Sequence, residues 1–186
     1  MELVTSMKTW NYPTVIGLFL SIGVAPVLAD DGPKEDPTCG AVNRAYVATF
    51  SIPQFTDTIH EVREDGTRRP FIVIWNTPTK AAARYVLSDK WEEFDRPSTS
   101  VLDRDYPKFS SCQLVDQRHA SEGKVAHYSA IWRKFPFRAE SEIWISADTG
   151  LILRVLRRYP GNGWQFPFET ALEIFDYDLK EIAPLR

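Results

Sequence analysis

The chain has 186 residues, of which 44% are hydrophobic and 13% aromatic, and its formal net charge at pH 7 is −3. This charge balance argues against a nucleic-acid-binding protein, which concentrates lysine and arginine on one surface, and the apolar content argues against a disordered chain. We therefore expect a folded domain with a hydrophobic core and no nucleic acid among its partners.

The first 29 residues carry the pattern of a secretory signal peptide. Lys8 precedes the apolar run VIGLFLSIGVAPVLA, which ends in the small residue Ala29 and is followed by Asp30. The run is shorter than the roughly 20 residues that span a bilayer and Pro26 interrupts it, so a membrane anchor is the weaker interpretation. We expect cleavage after Ala29, an exported protein and no transmembrane anchor in the mature chain.

The segment after the predicted cleavage site divides into a tether and a helix. Residues 30–38, DDGPKEDPT, are polar and rich in proline, which predicts a flexible tether before a single domain over residues 39–186. From Cys39 onward Val42, Ala45 and Tyr46 lie on one stripe at helical spacing, which predicts a helix of about three turns. Thr38 is the expected N-cap of this helix.

The chain contains two cysteines, Cys39 and Cys112, and both lie in the predicted mature part. In an exported chain with two cysteines a single disulfide is the expected state, and two buried free thiols are the alternative. A disulfide would tie the start of the domain to the middle of the chain.

From Phe55 onward the hydrophobic pattern changes to a period of two, and turn residues recur at short spacing. The short connections predict an antiparallel meander. The strand candidates are residues 55–64, 70–76, 82–94, 112–120, 124–135, 139–146, 150–159 and 169–178. Residues 96–111 lack a strand pattern and predict a lid-like loop or a short second helix.

Several of these strands are apolar on both faces. Residues 71–75 read FIVIW, without a polar position, and residues 128–132 read YSAIW, with a single serine. Such strands are buried on both sides, and one helix cannot cover both faces of a large sheet. The fold class is therefore mainly β with one or two helices, a curved antiparallel meander that forms an open half-barrel under the N-terminal helix. Its concavity either stays open for a ligand or is filled by its own side chains.

The hairpin around residues 147–150 raises the question of a buried arginine. A four-residue loop there places Glu140 opposite Arg157 and Ile143 opposite Arg154, so Arg154 shares a face with isoleucines. A guanidinium in apolar surroundings needs a partner. Two interpretations stay open: Arg154 is solvated or pairs with a carboxylate of the next strand, where Glu169 and Glu173 are nearest in sequence, or it is a polar anchor in an apolar cavity.

The C-terminal runs EIWISADTGLILRVLRRY and ETALEIFDYD resemble the ending of the periplasmic lipoprotein-carrier-like (LolA-like) superfamily, which sorts outer-membrane lipoproteins. The run RYVLSDKWEEF is similar to the middle of those proteins, where a strand led by an aromatic residue, here Tyr85, runs into a tryptophan. The resemblance implies a periplasmic half-barrel with helices over its mouth and a hydrophobic cavity between them. In those carriers an arginine in the cavity holds the lid shut, a role that does not transfer to Arg154 on the sequence alone.

The function expected from the sequence is that of a soluble periplasmic protein that binds a hydrophobic ligand on the concave face. Its partner is an apolar small molecule, a lipid or a lipoprotein, with another envelope protein as a further candidate. The expected ligand-binding residues are Trp75, Tyr85, Trp91, Trp132, Trp144 and Arg154. The alternatives are an envelope protein-interaction or sensor module with a filled core and, more weakly, an enzyme that acts on a hydrophobic substrate.

The sequence lacks the common motifs of catalytic sites, so it gives no support for a catalytic role. The sequence has no nucleophile elbow, no HExxH zinc motif and no phosphate-binding loop. The histidines His60, His119 and His127 fall on separate strands and do not supply the four ligands of a zinc site. We therefore expect no catalytic residues, no metal and no cofactor.

Overall fold

The computed structural model describes residues 34–121, 123–161 and 163–178. The predicted signal peptide and the first residues of the predicted tether lie outside these ranges. Among the residues that are described, no helix is long and apolar enough to cross a membrane.

The fold is built on one nine-stranded antiparallel sheet. Its strands run in the order β4-β3-β2-β1-β11-β10-β9-β8-β7, so β4 and β7 are its two edges and the sheet does not close into a barrel. The predicted fold class, a mainly β open antiparallel sheet with a helix, is confirmed. The strands of the sheet are β1 Phe55–Val62, β2 Arg68–Asn76, β3 Lys80–Tyr85, β4 Glu92–Asp95, β7 Phe109–Ala120, β8 Gly123–Lys134, β9 Phe137–Ser146, β10 Ile152–Arg158 and β11 Thr170–Asp176.

The sheet consists of two meanders that meet in its centre. The first runs from β1 outward to β4, the second runs inward from β7 to β11, and the pairing of β1 with β11 joins them. The chain between β4 and β7 therefore has to pass from one edge of the sheet to the other. It contains a separate two-stranded sheet of β5, Leu102–Asp103, and β6, Tyr106–Pro107, and no helix.

One long strand prediction was wrong. Residues 82–94 form parts of two strands, β3 and β4, with a turn between them that exposes Val86 and Leu87. Apolar residues in an exposed turn extend the period-two pattern beyond the strand, which is why the pattern concealed the break. The remaining seven candidates each fall on one strand.

Within the described residues a single α-helix, α1, covers one face of the sheet. It spans Gly40–Ser51, after a short 3₁₀ turn at Pro37–Cys39, and buries Val42, Ala45 and Thr49. The Thr49 hydroxyl accepts a hydrogen bond of 2.9 Å from the backbone N–H of Ile152 in β10, which fixes the helix on the sheet. We call the face under α1 the inner face and the opposite one the outer face.

The start of the helix differs in detail from its prediction. The N-cap of α1 is Cys39 rather than Thr38, and no side chain caps the helix there; the Asp36 carboxylate caps the preceding 3₁₀ turn by accepting from the backbone N–H of Thr38 at 2.8 Å. The predicted disulfide is confirmed: Cys39 is bonded to Cys112, which attaches the N-terminal end of α1 to the edge strand β7.

The predicted register of the β9–β10 hairpin holds only near its turn. Ser146 N donates to Leu151 O at 2.9 Å and Ile145 lies opposite Ile152, as predicted. A bulge then shifts the ladder between Ile152 and Arg154, so that Arg154 faces Trp144. Because side chains alternate between the faces, one extra residue moves every later side chain to the other face.

This bulge overturns the predicted environment of two arginines. Ile143 is fully buried in the core of the inner face, so its neighbour Trp144 and the facing Arg154 lie on the outer face. Arg157 turns to the inner face and lies opposite Ser141, so the predicted pair of Glu140 with Arg157 does not form. Arg157, rather than Arg154, is the arginine of this strand that faces the core.

Candidate functional site

A cavity of about 460 Å³ lies between the inner face, α1 and the chain that crosses from β4 to β7. Its wall is mainly apolar. The residues that form this wall include Phe50, Ile59, Ile72, Ile74, Phe94 and Trp132. Residues 97–108 contribute to its rim, so the segment predicted as a lid-like loop does lie over the cavity.

Two larger depressions, of about 670 and 680 Å³, lie elsewhere on the molecule. The first is a groove beside Tyr85 and Leu87, and the second runs along α1 at Arg44 and Val47. Both are bordered by exposed charged side chains, which water already satisfies. We place the candidate site in the smaller cavity because charged groups are buried there, and buried charge requires a specific environment.

The inner face carries a buried cluster of four polar residues, Asp57, Asn76, Arg157 and Glu173, contributed by β1, β2, β10 and β11. Glu173 Oε2 lies 2.7 Å from Arg157 Nη1, and both side chains are about nine-tenths buried. Asn76 Nδ2 donates to Asp57 Oδ1 at 3.1 Å, and the Asp57 and Glu173 carboxyl groups are hydrogen-bonded to each other. We refer to these residues as the buried cluster.

The two carboxyl groups of the buried cluster titrate in opposite directions. Burial, followed by the negative charge of Glu173, raises the pKa of Asp57 well above its usual value, so Asp57 carries the proton and donates to Glu173. Burial opposes ionisation of Glu173 too, but Arg157 and the hydrogen bond with Asp57 outweigh it and lower its pKa. The cluster therefore holds one cation, one anion and one neutral acid.

Aromatic rings enclose the arginine of this cluster. The Arg157 guanidinium carbon lies 4.6 Å from the centre of the Trp132 ring, a cation–π contact. Among the described residues the Nε atom of Arg157 has no hydrogen-bond partner, although it is buried. Tyr46 of α1 also lines the cavity, and burial raises the pKa of its hydroxyl, which stays protonated and donates to the carbonyl oxygen of Ser98 at 3.0 Å.

Of the six residues predicted to bind a ligand, Trp132 lines the cavity and the other five lie outside it. Trp144 and Arg154 contact each other on the outer face, where the Trp144 ring lies between the His127 ring, 4.5 Å away, and the Arg154 guanidinium, 4.7 Å away. The bulge in β10 brings Arg154 to the face of Trp144, whereas the sequence pattern predicts the two side chains on opposite faces.

The remaining three predicted residues lie toward the β2–β3–β4 edge. Trp75 alternates with the cavity residue Ile74 and so belongs to the outer face. Tyr85 is 47% exposed beside the Phe71 ring, at a centroid distance of 5.3 Å. Trp91 packs under Arg84, whose guanidinium carbon is 5.2 Å from its ring centre.

Sequence reasoning missed Asp57 and Asn76 and considered Glu173 only as a partner of Arg154, although the sequence pattern marks both carboxylates as buried. Asp57 alternates with the buried Phe55 and Ile59, and Glu173 lies between Leu172 and Ile174 in a buried strand. A carboxylate at an apolar position of a period-two strand indicates a buried partner. That partner was not identifiable because the register of β10 depends on the bulge.

The similarity of this chain to known proteins lies in its structure, at low sequence identity. No family model matches the chain, and no curated protein matches it. Among solved structures it is similar to the Pseudomonas aeruginosa MucA/MucB complex, at 16% identity and a TM-score of 0.35, over 74% of this chain and 55% of that one. A second, MucB in complex with MucA(peri), gives 18% identity and a TM-score of 0.35, over 73% and 52%. The chain spans about half the length of these proteins, and the likeness carries no conclusion about function.

Proposed function

We propose that this protein is an exported, soluble binding protein of the cell envelope that holds a hydrophobic ligand, a lipid or a lipid-modified protein, in the cavity under α1. The observation that carries the proposal is the cavity itself. Its volume of about 460 Å³ falls in the range of small-molecule sites, roughly 300–1,000 Å³, and its wall is mainly apolar. A filled core would leave no such space.

The buried cluster gives the cavity a polar floor without net charge. Arg157 and Glu173 neutralise each other, and Asp57 is protonated. An apolar chain can therefore lie over the floor without stranding an unpaired charge, which would be costly.

The proposal is one of binding rather than catalysis. The proton of Asp57 and the charge of Glu173 are already used within the cluster, so neither is poised to exchange a proton with a substrate. No histidine is among the described residues of the cavity lining. We propose no cofactor and no metal.

The resemblance to lipoprotein-carrier-like proteins supports the same proposal. An open antiparallel sheet with a helix over one face is the architecture which that resemblance implies, and the cavity lies between them. A periplasmic location rests on the predicted signal peptide and on this resemblance.

The test is to fill the cavity. Ile74→Trp adds an indole on the inner face, whereas Val73→Trp adds the same group one residue away on the outer face. We expect Ile74→Trp to weaken binding of the neutral dye N-phenyl-1-naphthylamine by at least about tenfold. Val73→Trp should bind the dye like the wild type. Absence of dye binding in the wild type, with no lipid retained in native mass spectrometry, would refute the proposal.

A second candidate, binding of another envelope protein, is favoured by the edge strand β7. One side of this twelve-residue strand has no neighbour in the sheet, and Leu114 and Val115 are 52% and 55% exposed. An extended peptide can add to such an edge. A proline at Gln117 would block this addition, so loss of a partner in Gln117→Pro with dye binding intact would identify this second function.

A further inference from the structure

The mouth of the cavity carries two cations. Lys134 is two residues beyond Trp132 in β8, so both side chains leave the strand on the inner face. Lys108 precedes β7, and its Nζ donates to the Tyr46 hydroxyl at 2.9 Å. Both lysines line the cavity, one on the sheet and one on the crossing segment.

Lys134 also acts on Glu173 of the buried cluster, but Arg157 already balances that charge, so the two lysines exceed the negative charge of Asp103 at the mouth. The carboxylate at the mouth belongs to Asp103, and its Oδ2 already accepts a hydrogen bond of 2.5 Å from the backbone N–H of Phe135. Burial lowers the pKa of Lys108, Asp103 opposes this effect, and the neighbouring positive charge of Lys134 adds to it. A partly buried ammonium next to a second one is stabilised by an added anion.

The cavity is therefore positively charged at its mouth and carries no net charge at its floor. The buried cluster at the floor is neutral as a unit, so an anion there would have to displace Glu173 from Arg157. At the mouth an anion meets two ammonium groups and keeps its contact with water. Between floor and mouth the wall is apolar. This order fits a molecule with an apolar chain and one charged end.

We propose that the cavity takes an anionic single-chain amphiphile, whose chain lies on the apolar wall and whose phosphate or carboxylate head group lies between Lys108 and Lys134. This inference rests on the proposed function, since it requires a hydrophobic ligand in the same cavity. It adds the chemical class of that ligand and its orientation, head group outward. Charge-assisted hydrogen bonds to the head group provide the selectivity.

The experiment compares head groups on one chain. Dodecyl phosphate, dodecylphosphocholine and dodecyltrimethylammonium, each below its micelle concentration, compete with N-phenyl-1-naphthylamine for the purified protein. We expect dodecyl phosphate to displace the dye at about tenfold lower concentration than dodecylphosphocholine, with the cationic amphiphile weakest. The preference should shrink as the salt concentration rises.

Two variants separate the mouth from the general charge of the protein. The double variant Lys108→Gln/Lys134→Gln should bring the concentrations of dodecyl phosphate and dodecylphosphocholine that displace half of the dye to within about twofold of each other. Arg133→Gln removes a cation adjacent to Lys134 whose side chain packs on Tyr106 and is not in the cavity lining, so it should keep the preference.

Each outcome decides between the two proposals. Dye binding without a head-group preference, or a preference that Arg133→Gln abolishes equally, overturns the inference and leaves the proposed function in place. Competition by inorganic phosphate alone at the concentration of dodecyl phosphate also overturns it, because the chain would then contribute nothing. Failure of the wild type to bind any dye or amphiphile overturns the proposed function itself.

Discussion

Arg154 and Arg157 lie three residues apart in one strand and meet opposite environments. The Arg157 side chain is about nine-tenths buried between Glu173 and the Trp132 ring on the inner face, while Arg154 contacts the Trp144 ring on the outer face. A buried ion pair contributes little net stability as a pair, but removing one partner leaves an uncompensated charge. The two positions therefore respond very differently to the same substitution.

We expect Arg157→Met to lower the free energy of unfolding by roughly 3–5 kcal/mol, because it strands the Glu173 carboxylate. Arg154→Met, the matched control in the same strand, should cost about 0.5–1 kcal/mol through its cation–π contact. Urea unfolding of both variants measures this difference. Adding Glu173→Gln to Arg157→Met should restore part of the loss. Equal losses in the two single variants would show that the cluster does not hold Arg157 as described.

Among the elements, α1 is held at its C-terminal end by one side chain from the crossing segment. The Arg96 guanidinium donates to the carbonyl oxygens of Phe50, at 2.8 Å, and of Ile52 in and after the last turn of the helix. It also donates to the carbonyl oxygen of Thr77 at 2.6 Å, between β2 and β3. Carbonyls at a helix C-terminus lack intrahelical partners and carry partial negative charge, so a cation satisfies both needs.

Removal of the Arg96 guanidinium should therefore weaken the attachment of the C-terminal end of α1. We expect Arg96→Met to destabilise the protein by roughly 1–3 kcal/mol and to increase amide hydrogen exchange within Gly40–Ser51. Arg44→Met changes an exposed arginine on the same helix and should stay within about 0.5 kcal/mol of the wild type. If the amide hydrogen exchange of α1 is unchanged in Arg96→Met, Arg96 does not hold the helix in the way described.

The helix and the strands also show which parts of the fold can be predicted from the sequence. The helix and most strands were predictable because burial imposes a period of 3.6 or of two on local sequence. The break between β3 and β4 was hidden by apolar residues in a turn, and the small β5–β6 sheet has strands too short for a periodic signal. In the site, Trp132 was predicted and the buried cluster was not. One bulge, which local sequence did not reveal, decides which arginine enters the cavity.

In the molecule as a whole, the buried cluster lies where the two meanders meet. It joins β1 and β2 of the first meander to β10 and β11 of the second, so contacts far apart in sequence depend on it. Only global unfolding exposes all of its members together. The protonation state of the cluster should therefore be visible in the stability of the entire fold rather than in one local segment.

The pKa of Asp57 is raised in the folded state, so the stability that its proton provides is present below its usual pKa of 3.8 and is lost as the pH rises through the folded value. Asp57→Asn replaces the protonated carboxyl with an amide that donates to Glu173 at every pH. We therefore expect the stability of Asp57→Asn relative to the wild type to increase with pH above about 4, by at most about 1.4 kcal/mol per pH unit. Urea unfolding between pH 4 and pH 9 measures this difference. Asp65→Asn is the control: hydrogen bonds from Thr67 lower the pKa of that exposed carboxylate, so its contribution changes only below about pH 4 and its difference from the wild type should stay flat over this range. A difference between Asp57→Asn and the wild type that does not change with pH would mean that Asp57 is ionised in the folded protein.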